Sequence, residues 1–544
     1  MKKFLTGAIL ATIIASLFFV TPTGQQVTAS ANDLFQKLNV FSDMVSIVND
    51  NYVEDVEWEN VMVGAYEGLM EELDPHSVYI PEKKFGRISE QFEGEFQGIG
   101  IEFDIINDYI TVISPIPGGP SDEVGIQSGD KIVSIEGKSA KGITQQEVFD
   151  KLRGKKGTKV NVTVVRPGRE DSLDFTITRD EIPIVSVLAS TTLPRQPQTG
   201  YIYLNRFSKN TAGEFEKALN KLESRGMERL IVDLRNNSGG YMDQAIEIVD
   251  MFVKGGQKVV YTKGRIPSAN EEYYSTDNAT HIRYPVIVLI NRGSASASEI
   301  VSGALQDLDR GLIVGETSFG KGLVQRQWKM RDGSAIRVTV ARYYTPSGRL
   351  IQRPYDEGSE EYYEEVAHRF SMADSSDTTA IDTSDRPVYH TKSGRKVYGG
   401  GGITPDILVQ YDMDLTKTTI QLIQDPSRVF FEYASAYAAK HSELKQDFRD
   451  FALNFELEDN QIEELKSYIR ERDIEFDEEE FQEDLKYIKT LVKAEIASSL
   501  WGKDEEYAIR MQMDNQVEEA LKHFPEAKDL AMLNTGNVGE QPEE

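Results

Sequence analysis

The strongest constraint on the fold is the alternation of continuous apolar runs with amphipathic stretches in the middle of the chain. Residues 230–234 and 286–290 are short, uninterrupted apolar runs, which is the pattern of strands buried on both faces. An amphipathic stretch around Leu219 precedes the first run, and a second predicted helix covers about 242–252. This alternation predicts an α/β core with parallel strands.

Composition excludes several classes of function. The chain has 544 residues, enough for three or four domains. Its 89 Asp and Glu against 60 Lys and Arg give a net charge of −29, which repels nucleic acid phosphates, so we expect no nucleic acid partner. Cysteine is absent, which excludes thiol catalysis, disulfides and cysteine zinc sites. We expect no metal and no cofactor.

The N-terminus has the pattern of a secretory signal. Lys2 and Lys3 precede an apolar run over 4–20, and residues 29–31, Ala-Ser-Ala, match a signal peptidase site. We therefore predict a signal peptide over 1–31 and a mature chain exported to the periplasm or another extracytoplasmic envelope compartment of a bacterium. The alternative is an uncleaved anchor that associates the protein with the membrane.

The next two segments differ in hydrophobic period. Residues 33–73 have helical spacing and are closed by the turn sequence Asp-Pro-His-Ser at 74–77, which predicts an N-terminal helical domain over 32–88. Residues 89–183 instead contain strand-like runs at 100–105, 109–113 and 160–165, separated by Gly and Pro turns. This segment is predicted to form a compact α+β domain.

The order of motifs within 89–183 resembles the PDZ domain in the circularly shifted form found in bacterial proteases. A short helix at 119–126 leads through a Gly-Asp turn into an apolar strand at 131–135. A PDZ groove adds an extended peptide to a sheet edge and holds its terminal carboxylate on backbone N–H groups. The loop predicted to do so consists of Gly98, Ile99, Gly100 and Ile101. Arg153 is either a further anion ligand or a solvated surface residue.

Two turns follow the predicted core strands, at the strand ends where α/β folds place their chemistry. The first, at 235–240, ends in Gly239 and Gly240, whose backbone N–H groups are oxyanion-hole candidates. The second, at 291–298, is rich in serine and leads into a predicted helix. The N–H of Ala297, at the start of that helix, is a further oxyanion-hole candidate.

The serine-rich turn suggests a nucleophile assisted by a lysine base. Helix capping is the alternative role for each serine, and we favour it for Ser294 and Ser298. No histidine lies between positions 281 and 368, so Lys321 is the candidate base for Ser296, provided that an apolar site lowers its pKa. Gln325 lies four residues further on, about 13 Å away in a straight strand, so it reaches Lys321 only if the chain bends.

Taken together, the motifs match a known family. They resemble the carboxyl-terminal processing proteases, also called tail-specific proteases (peptidase family S41), over about residues 35 to 410. The resemblance rests on Asp-Leu-Arg-Asn-Asn-x-Gly-Gly at 233–240, Asn-x-Gly-Ser-Ala-Ser-Ala-Ser-Glu-Ile at 291–300, Gly-Glu-Thr-x-Phe-Gly-Lys-Gly-x-Val-Gln at 315–325, Thr-Pro-Ser-Gly-Arg at 345–349 and Gly-Ile-Thr-Pro-Asp at 402–406.

The resemblance implies a role for each motif residue. Ser296 would be the nucleophile, Lys321 the general base and Gln325 the residue that orients the lysine. It also implies a crotonase-like or ClpP-like α/β core over 184–412. The chain departs from the family at Ser238, where many relatives carry proline, and in an acidic segment within 353–390 that we expect to be a mobile surface loop.

Beyond residue 412 the chain is acidic and helical in pattern. Apolar side chains at helical spacing predict three packed helices, near 430–437, 462–469 and 481–491. We predict a C-terminal helical domain over 413–534, which braces the core, dimerises or gates access, and a disordered tail over 535–544.

The sequence thus predicts an exported serine endopeptidase that recognises protein C-terminal tails. Its expected partners are proteins and peptides with exposed C-termini, while a homodimer and an adaptor protein remain open. One alternative is a catalytically silent PDZ peptide-binding or scaffold protein, which a missing serine or lysine would have favoured. Another is an acyl-CoA enzyme on the same core, which suits neither export nor the PDZ domain.

Overall fold

The structure is a computed structural model that describes residues 22–116, 118–167, 169, 171–277, 280–356, 358–371, 386–412 and 414–535. Most of the predicted signal peptide (1–31) and all but the first residue of the predicted tail (535–544) lie outside this part of the chain. Within the described ranges, no helix combines the length and the apolar character needed to cross a bilayer.

Residues up to Glu72 form one compact unit, and residues from Leu73 onward form another. The first unit contains α1 (Pro22–Asn51) and α2 (Trp58–Glu71), which cover most of the segment where apolar spacing predicts helices. Several apolar side chains of α1, including Leu34, Phe35 and Leu38, are exposed. The boundaries of the predicted domains, 32–88 included, stay predictions.

The second unit begins with a short strand and a helix, β1 (Val78–Ile80) and α3 (Glu82–Glu93). An antiparallel sheet follows, with hydrogen-bonded order β3-β4-β5-β7-β8, β6 paired to β5, and β2 and β9 forming a separate pair. The elements are β2 (Glu95–Gly98), β3 (Ile101–Ile106), β4 (Tyr109–Pro115), α4 (Pro120–Glu123), β5 (Lys131–Ile135), β6 (Lys138–Ser139), α5 (Gln145–Leu152), β7 (Lys159–Val165), β8 (Leu173–Thr178) and β9 (Asp180–Pro183).

The predicted alternation of strands and helices appears in the next segment. Its elements are β10 (Val187–Leu193), β11 (Gln196–Leu204), α6 (Thr211–Ser224), β12 (Arg229–Asp233), α7 (Met242–Asp250), β13 (Lys258–Lys263), β14 (Glu272–Tyr274), β15 (Val286–Ile290), α8 (Ala297–Asp307), β16 (Leu312–Gly315), β17 (Leu323–Lys329), β18 (Ala335–Tyr344), α9 (Ser359–Ser371), β19 (Val388–His390), β20 (Lys396–Tyr398) and β21 (Ile407–Leu408).

The central sheet has the order β10-β11-β12-β15-β16-β21, and every pairing is parallel except that of β10 with β11. Alternate residues of β12 and β15 point to opposite faces, as the period of a strand requires. On one face, Val232 and Val288 pack against α6, α7 and α8, and on the other, Ile231 and Ile287 join a second apolar cluster. Burial on both faces explains why these strands are continuous apolar runs.

A second sheet, of antiparallel strands, has the order β1-β18-β13-β14 with β17 paired to β18. Gln325 lies near the start of β17 in this sheet, and Lys321 lies two residues before the strand begins. The pairing of β17 with β18 shifts register between Val324 and Gln325, which is a β-bulge.

The acidic segment differs from the mobile loop expected from its composition. Residues 359–371 form the helix α9, and Tyr362 on it is 3% exposed. The reason is aromatic packing, since the Tyr362 ring contacts His76 and Phe319 and lies beside the Arg353 guanidinium. Residues 372–385 of the segment lie outside the described part.

The C-terminal region is helical, as predicted, although the segment expected as its third helix is divided in two near Asp484. The helices are α10 (Lys417–Gln424), α11 (Val429–Lys440), α12 (Phe448–Asn454), α13 (Asp459–Arg470), α14 (Glu478–Glu483), α15 (Leu485–Leu500), α16 (Lys503–Arg510), α17 (Asn515–Lys522) and α18 (Phe524–Thr535).

These helices pack on the core, while the three roles that the sequence left open for them stay predictions. Val517 and Phe524, from α17 and α18, pack on the face of the central sheet that carries Ile231 and Ile287. A different helix, α11, contacts the sheet of the PDZ-like segment, where Phe431 packs with Ile106 and Ile113. The C-terminal region therefore touches both the central sheet and the PDZ-like sheet.

Candidate active site

Ser296 lies at the sharp turn between β15 and α8. Its φ is +55° and its ψ −110°, a conformation that non-glycine residues rarely adopt and that is often held at functional sites. The neighbouring serines are engaged elsewhere, since Ser294 Oγ donates to Leu234 O at 2.8 Å and Ser298 Oγ donates to Asn237 O at 2.8 Å. Both are buried, whereas Ser296 is partly exposed. Ser296 is thus the serine that a substrate can reach.

The glycine turn, residues 235–240, lies directly against Ser296. A Cβ on Gly239 would be 2.8 Å from Ser296 Cβ and 2.7 Å from Ala295 O, so the position admits no side chain. Gly239 N already donates to Asn237 Oδ1 at 2.9 Å. Within the described ranges, the N–H groups of Gly240 and Ala297 donate no hydrogen bond, so they are free for an oxyanion.

Lys321 lies in a largely desolvated position at the start of the second sheet. Its Nζ donates to Gln325 Oε1 at 3.0 Å. Burial lowers the pKa of Lys321 to about 8, the Arg337 guanidinium adds to this, and the Glu299 and Asp74 carboxylates oppose it. The amine is therefore substantially neutral at mildly alkaline pH, as a general base requires.

The bend that the Lys321 to Gln325 contact requires has two sources. Leu323 begins the strand, so Lys321 and Gly322 lie outside it, and the β-bulge after Val324 re-aims the Gln325 side chain. A Cβ at Gly322 would lie 2.9 Å from Gln352 N, so only glycine fits there. The distance of about 13 Å expected for a straight strand therefore does not apply.

A buried carboxylate holds together the serine turn at 291–298 and the turn that contains Lys321, the lysine turn. Glu299, which is fully buried, accepts hydrogen bonds from Ser296 N at 2.8 Å and from Lys321 N at 2.9 Å. Gly320 N and Ser318 Oγ donate to its other oxygen at 2.7 Å and 2.5 Å. Burial raises the pKa of Glu299 above its usual value, and these four hydrogen bonds oppose that rise. The motif at 291–300 includes this residue, but no sequence pattern predicts its partners.

Tyr343 of β18 makes a second link between the two turns. Its buried hydroxyl lies 3.1 Å from Ser296 O and 2.8 Å from Lys321 O. Sequence reasoning missed this residue, because its role depends on a pairing between segments far apart in the chain. Ser296 and Lys321 are thus tied to each other through their own backbones.

The turn at 74–77 reaches the same site. Gln325 Nε2 donates to the carbonyl oxygen of His76. Burial, followed by the charge of Lys321, lowers the pKa of His76 to about 4, so its imidazole is neutral at working pH. The sequence predicts a turn here but not its contact with Gln325.

The C-terminal region contacts the residue that starts the glycine turn. Arg235 pairs with Asp233 through a bidentate contact and with Asp514 at 2.8 Å, and it donates to Gln516 Oε1 at 2.8 Å. Arg235 and Asp514 are 8% and 6% exposed. The helices beyond residue 412 therefore supply polar partners as well as apolar cover.

The predicted peptide-carboxylate loop links β2 to β3. Gly100 has φ +74°, and Ile99 O is held by Ser121 N at 3.0 Å and Ser121 Oγ at 2.7 Å. Beside the loop lies a cavity of about 40 Å³, lined by Phe96, Ile99, Gly100, Ile101, Phe103, Val148, Phe149, Leu152 and Arg153.

Arg153 closes one side of this narrow groove. Its guanidinium lies 4.6 Å from the centre of the Phe96 ring and 4.7 Å from that of Phe149, and it pairs with Glu90. Arg153 thus lines the groove with its charge paired to Glu90, and its role as a further ligand of an anionic terminus stays a prediction. Across the described ranges, the groove included, no group of three or more acidic, His or Cys side chains is arranged to hold a metal ion.

Comparison with known proteins gives three family matches. Residues 198–357 match the peptidase family S41, residues 111–166 match the PDZ domain, and residues 422–502 match a family of unknown function. The first match contains Ser296 and Lys321, and the second contains strands β5, β6 and β7 of the PDZ-like sheet.

Curated relatives match a longer part of the chain. A carboxy-terminal-processing protease of Bartonella bacilliformis is 36% identical over 354 residues, which are 64% of this chain and 79% of the relative. The carboxy-terminal processing protease CtpB of Bacillus subtilis is 38% identical over 309 residues, 56% of this chain and 64% of CtpB. A solved photosystem II D1 C-terminal processing protease is 27% identical, with a TM-score of 0.33, covering 69% of this chain and 88% of that one.

The S41 match spans residues 198–357, and the match to the family of unknown function lies within the C-terminal helical region. Within that span the matched S41 segment contains Ser296, Lys321 and Gln325, together with Gly239, Gly240 and Ala297. On the identity and coverage of these relatives, the chain belongs to the family of carboxy-terminal processing proteases, peptidase family S41, and carries a PDZ domain.

Proposed function

We propose that this protein is a serine endopeptidase that binds the exposed C-terminal tail of a protein and cleaves that protein with a Ser-Lys pair assisted by Gln325. The observation that carries the proposal is the convergence of Ser296 and Lys321 on one buried carboxylate, Glu299. The lowered pKa of Lys321 supports the same conclusion, since a lysine base must be neutral.

The first half of the reaction is acylation. Neutral Lys321 takes the proton of the Ser296 hydroxyl while its oxygen attacks the scissile carbonyl carbon. The resulting oxyanion is stabilised by the N–H groups of Ala297 and Gly240, because Gly239 N is already bonded to Asn237. The C–N bond then breaks, the leaving amine takes the proton from Lys321, and an ester on Ser296 remains.

Deacylation reverses the roles of these groups. Water attacks the ester carbonyl while Lys321 takes one of its protons, and the tetrahedral species again uses the two backbone N–H groups. The bond to Ser296 breaks, the serine oxygen recovers its proton from Lys321, and the new carboxylic acid leaves and loses its proton to water. Gln325 keeps the amine in place through both halves, since its Oε1 accepts an N–H of Lys321.

We assign substrate capture to the PDZ domain. A tail added to the sheet edge would direct its carboxylate at the backbone of Gly98, Ile99, Gly100 and Ile101 and place an apolar terminal side chain in the groove beside Phe149. The small volume and aromatic lining of that groove favour a terminal residue with a modest apolar side chain. Proteins with exposed C-termini are therefore the expected partners.

The location and core type complete the proposal. The leader pattern at 1–31 supports export, and bacterial envelope proteins are then the accessible substrates. The parallel sheet with helices on both faces supports a crotonase-like or ClpP-like core. A silent scaffold is not favoured, because the serine, the lysine and the glutamine are all present.

The test is cleavage of an unstructured reporter polypeptide with an apolar C-terminal residue. We expect the wild-type protein to cleave it, and Ser296→Ala and Lys321→Ala to lose at least ~10³-fold in kcat. Lys329→Ala is the matched control, because Lys329 is an exposed lysine at the far end of the same strand, and it should cleave normally. Normal turnover by either catalytic variant would refute the proposal.

A further inference from the structure

The orientation of the Gln325 amide is fixed by the backbone carbonyl of His76. Gln325 Nε2 donates to the carbonyl oxygen of His76, and a carbonyl can only accept a hydrogen bond. The amide nitrogen must therefore face His76, which turns the amide oxygen toward Lys321 Nζ. The opposite orientation would place two acceptor oxygens against each other and an N–H against the amine.

The turn that carries this carbonyl is firmly held. Asp74 Oδ1 accepts from His76 N at 2.9 Å and from Ser77 N at 3.0 Å, while Asp74 Oδ2 accepts from Ser77 Oγ at 2.5 Å. Thr339 of β18 joins the turn to the sheet, since its Oγ1 donates to Asp74 Oδ1 at 3.0 Å and its N to Ser77 Oγ at 3.1 Å. Because β18 also pairs with the strand of Gln325, the turn and the glutamine share one frame.

Helix α9 of the acidic segment covers the other side of this turn. Tyr362 Oη lies 3.1 Å from His76 Nε2, and Tyr363 Oη donates to Pro75 O at 2.8 Å. The Arg353 guanidinium lies 4.1 Å from the centre of the Tyr362 ring and 4.6 Å from that of Phe319. Tyr362 is almost completely buried in this cluster, so the helix is packed on the turn and not merely near it.

We propose that α9 and the turn 74–77 are a positioning device for the base, in which α9 clamps the turn and the turn orients Gln325 toward Lys321. This rests on the proposed function and adds to it a task for a segment in which this chain departs from its family. A neutral amine has two N–H groups and one lone pair, so an N–H held by Gln325 limits where the lone pair points. The device thus restricts Lys321 to orientations useful for proton transfer.

The charged groups around the Lys321 amine help to set its pKa, so they determine how a variant of this device changes the pH profile. Arg337 on β18, Glu299 on α8 and Asp74 in the turn are the charges that face Lys321. His76 faces Lys321, Asp74 and Arg353, and stays neutral. Removing the Tyr362 ring leaves these charges in place and admits water beside the turn, so the lysine would hold its proton to higher pH.

The experiment measures kcat, KM and the pH midpoint of kcat on the full chain for three variants. Tyr363→Phe removes only the hydroxyl that bonds Pro75 O, Tyr362→Ala removes the buried ring, and Asp74→Asn disturbs the turn. We expect kcat to fall about 3-fold for Tyr363→Phe and about 10-fold for the other two, in line with one lost hydrogen bond or more. KM should change less than 2-fold, since none of these groups is placed to touch substrate.

The pH midpoint separates positioning from stability. For Tyr362→Ala we expect it to rise by about one unit, whereas Tyr274→Phe, which loses a surface hydroxyl bonded to Glu272, should match the wild type. If Tyr362→Ala does not fold, Tyr363→Phe decides alone, because its ring and packing are retained.

An unchanged kcat in both Tyr363→Phe and Asp74→Asn would overturn the inference, as would a fall in kcat of Tyr362→Ala that follows its melting temperature with no shift of its pH midpoint. These outcomes differ from failure of the proposed function. In that case the wild-type protein would not cleave the reporter, or Ser296→Ala would cleave it normally.

Discussion

Gln325 Oε1 accepts a hydrogen bond from Lys321 Nζ at 3.0 Å, although a β-strand begins between the two residues. The β-bulge after Val324 and the side-chain-free position at Gly322 make this contact possible. The neutral amide gives the amine a fixed partner without adding a charge. A carboxylate in the same place would give the amine a partner that favours its protonated form.

Gln325→Glu tests the need for a neutral partner. The new carboxylate would stabilise the lysine ammonium and would face the His76 carbonyl, so the pKa of Lys321 should rise. We expect the acid limb of the pH profile of kcat to move upward by about 1–2 units, with activity near neutral pH reduced roughly in proportion. Gln146→Glu, on the exposed side of the PDZ helix α5, is the matched control. An acid limb that stays in place would contradict this role of Gln325.

Glu299→Gln tests the link between the serine turn and the lysine turn. A glutamine amide retains one acceptor oxygen and introduces an NH₂ group against N–H donors, so part of the link is lost. We expect kcat to fall about 10- to 100-fold, which corresponds to one or two hydrogen bonds to a charged group. KM should stay near the wild-type value, because Glu299 is buried beneath the site. A normal kcat measured by steady-state cleavage would show that the link is dispensable.

Phe149→Ser tests substrate capture by the PDZ groove. The side chain lines the cavity beside the loop 98–101, so its loss should weaken tail binding without touching Ser296. We expect KM for a reporter with a free apolar C-terminus to rise about 10-fold, with kcat retained. For the same reporter ending in an amide, wild type and variant should give equal KM values. Equal KM values for the free carboxylate as well would exclude this groove as the tail site.

Asp514→Ala tests the contribution of the C-terminal helices. It leaves the buried Arg235 guanidinium with Asp233 and Gln516 but without its charged partner on the C-terminal region. We expect the free energy of unfolding to fall by about 3 kcal/mol, the usual cost of breaking a buried ion pair from one side. Urea titration measures this, and Asp529→Ala on the last helix should leave stability nearly unchanged. A fall below about 0.5 kcal/mol would contradict a bracing role for this contact.

The sequence predicted the parts of the fold that local patterns specify. The runs 230–234 and 286–290 correspond to β12 and β15, because a strand buried on both faces must be apolar throughout. The apolar spacing near 430–437 and 462–469 likewise corresponds to α11 and α13. The need for a bend between Lys321 and Gln325 followed from their spacing alone, because four residues of straight strand span about 13 Å.

Contacts between distant segments were beyond the reach of these patterns. His76 acts through its backbone carbonyl, so no property of its side chain predicts the bond to Gln325. Tyr343 contacts two turns only because β18 passes beneath both. In the acidic segment, composition suggested a loop, while the decisive feature is the packing of one side chain, Tyr362, against His76, Phe319 and Arg353.

The most direct test of the central claim is the pH profile of kcat/KM for wild type and Lys321→Ala, with and without an added small primary amine. We predict that wild-type activity rises through an acid limb near pH 8, the lowered pKa of Lys321. Lys321→Ala should be inactive alone and regain activity in proportion to the unprotonated amine, whereas Ser296→Ala should not. Full activity of Lys321→Ala without amine, or a wild-type profile flat between pH 6 and about 9, would contradict the account.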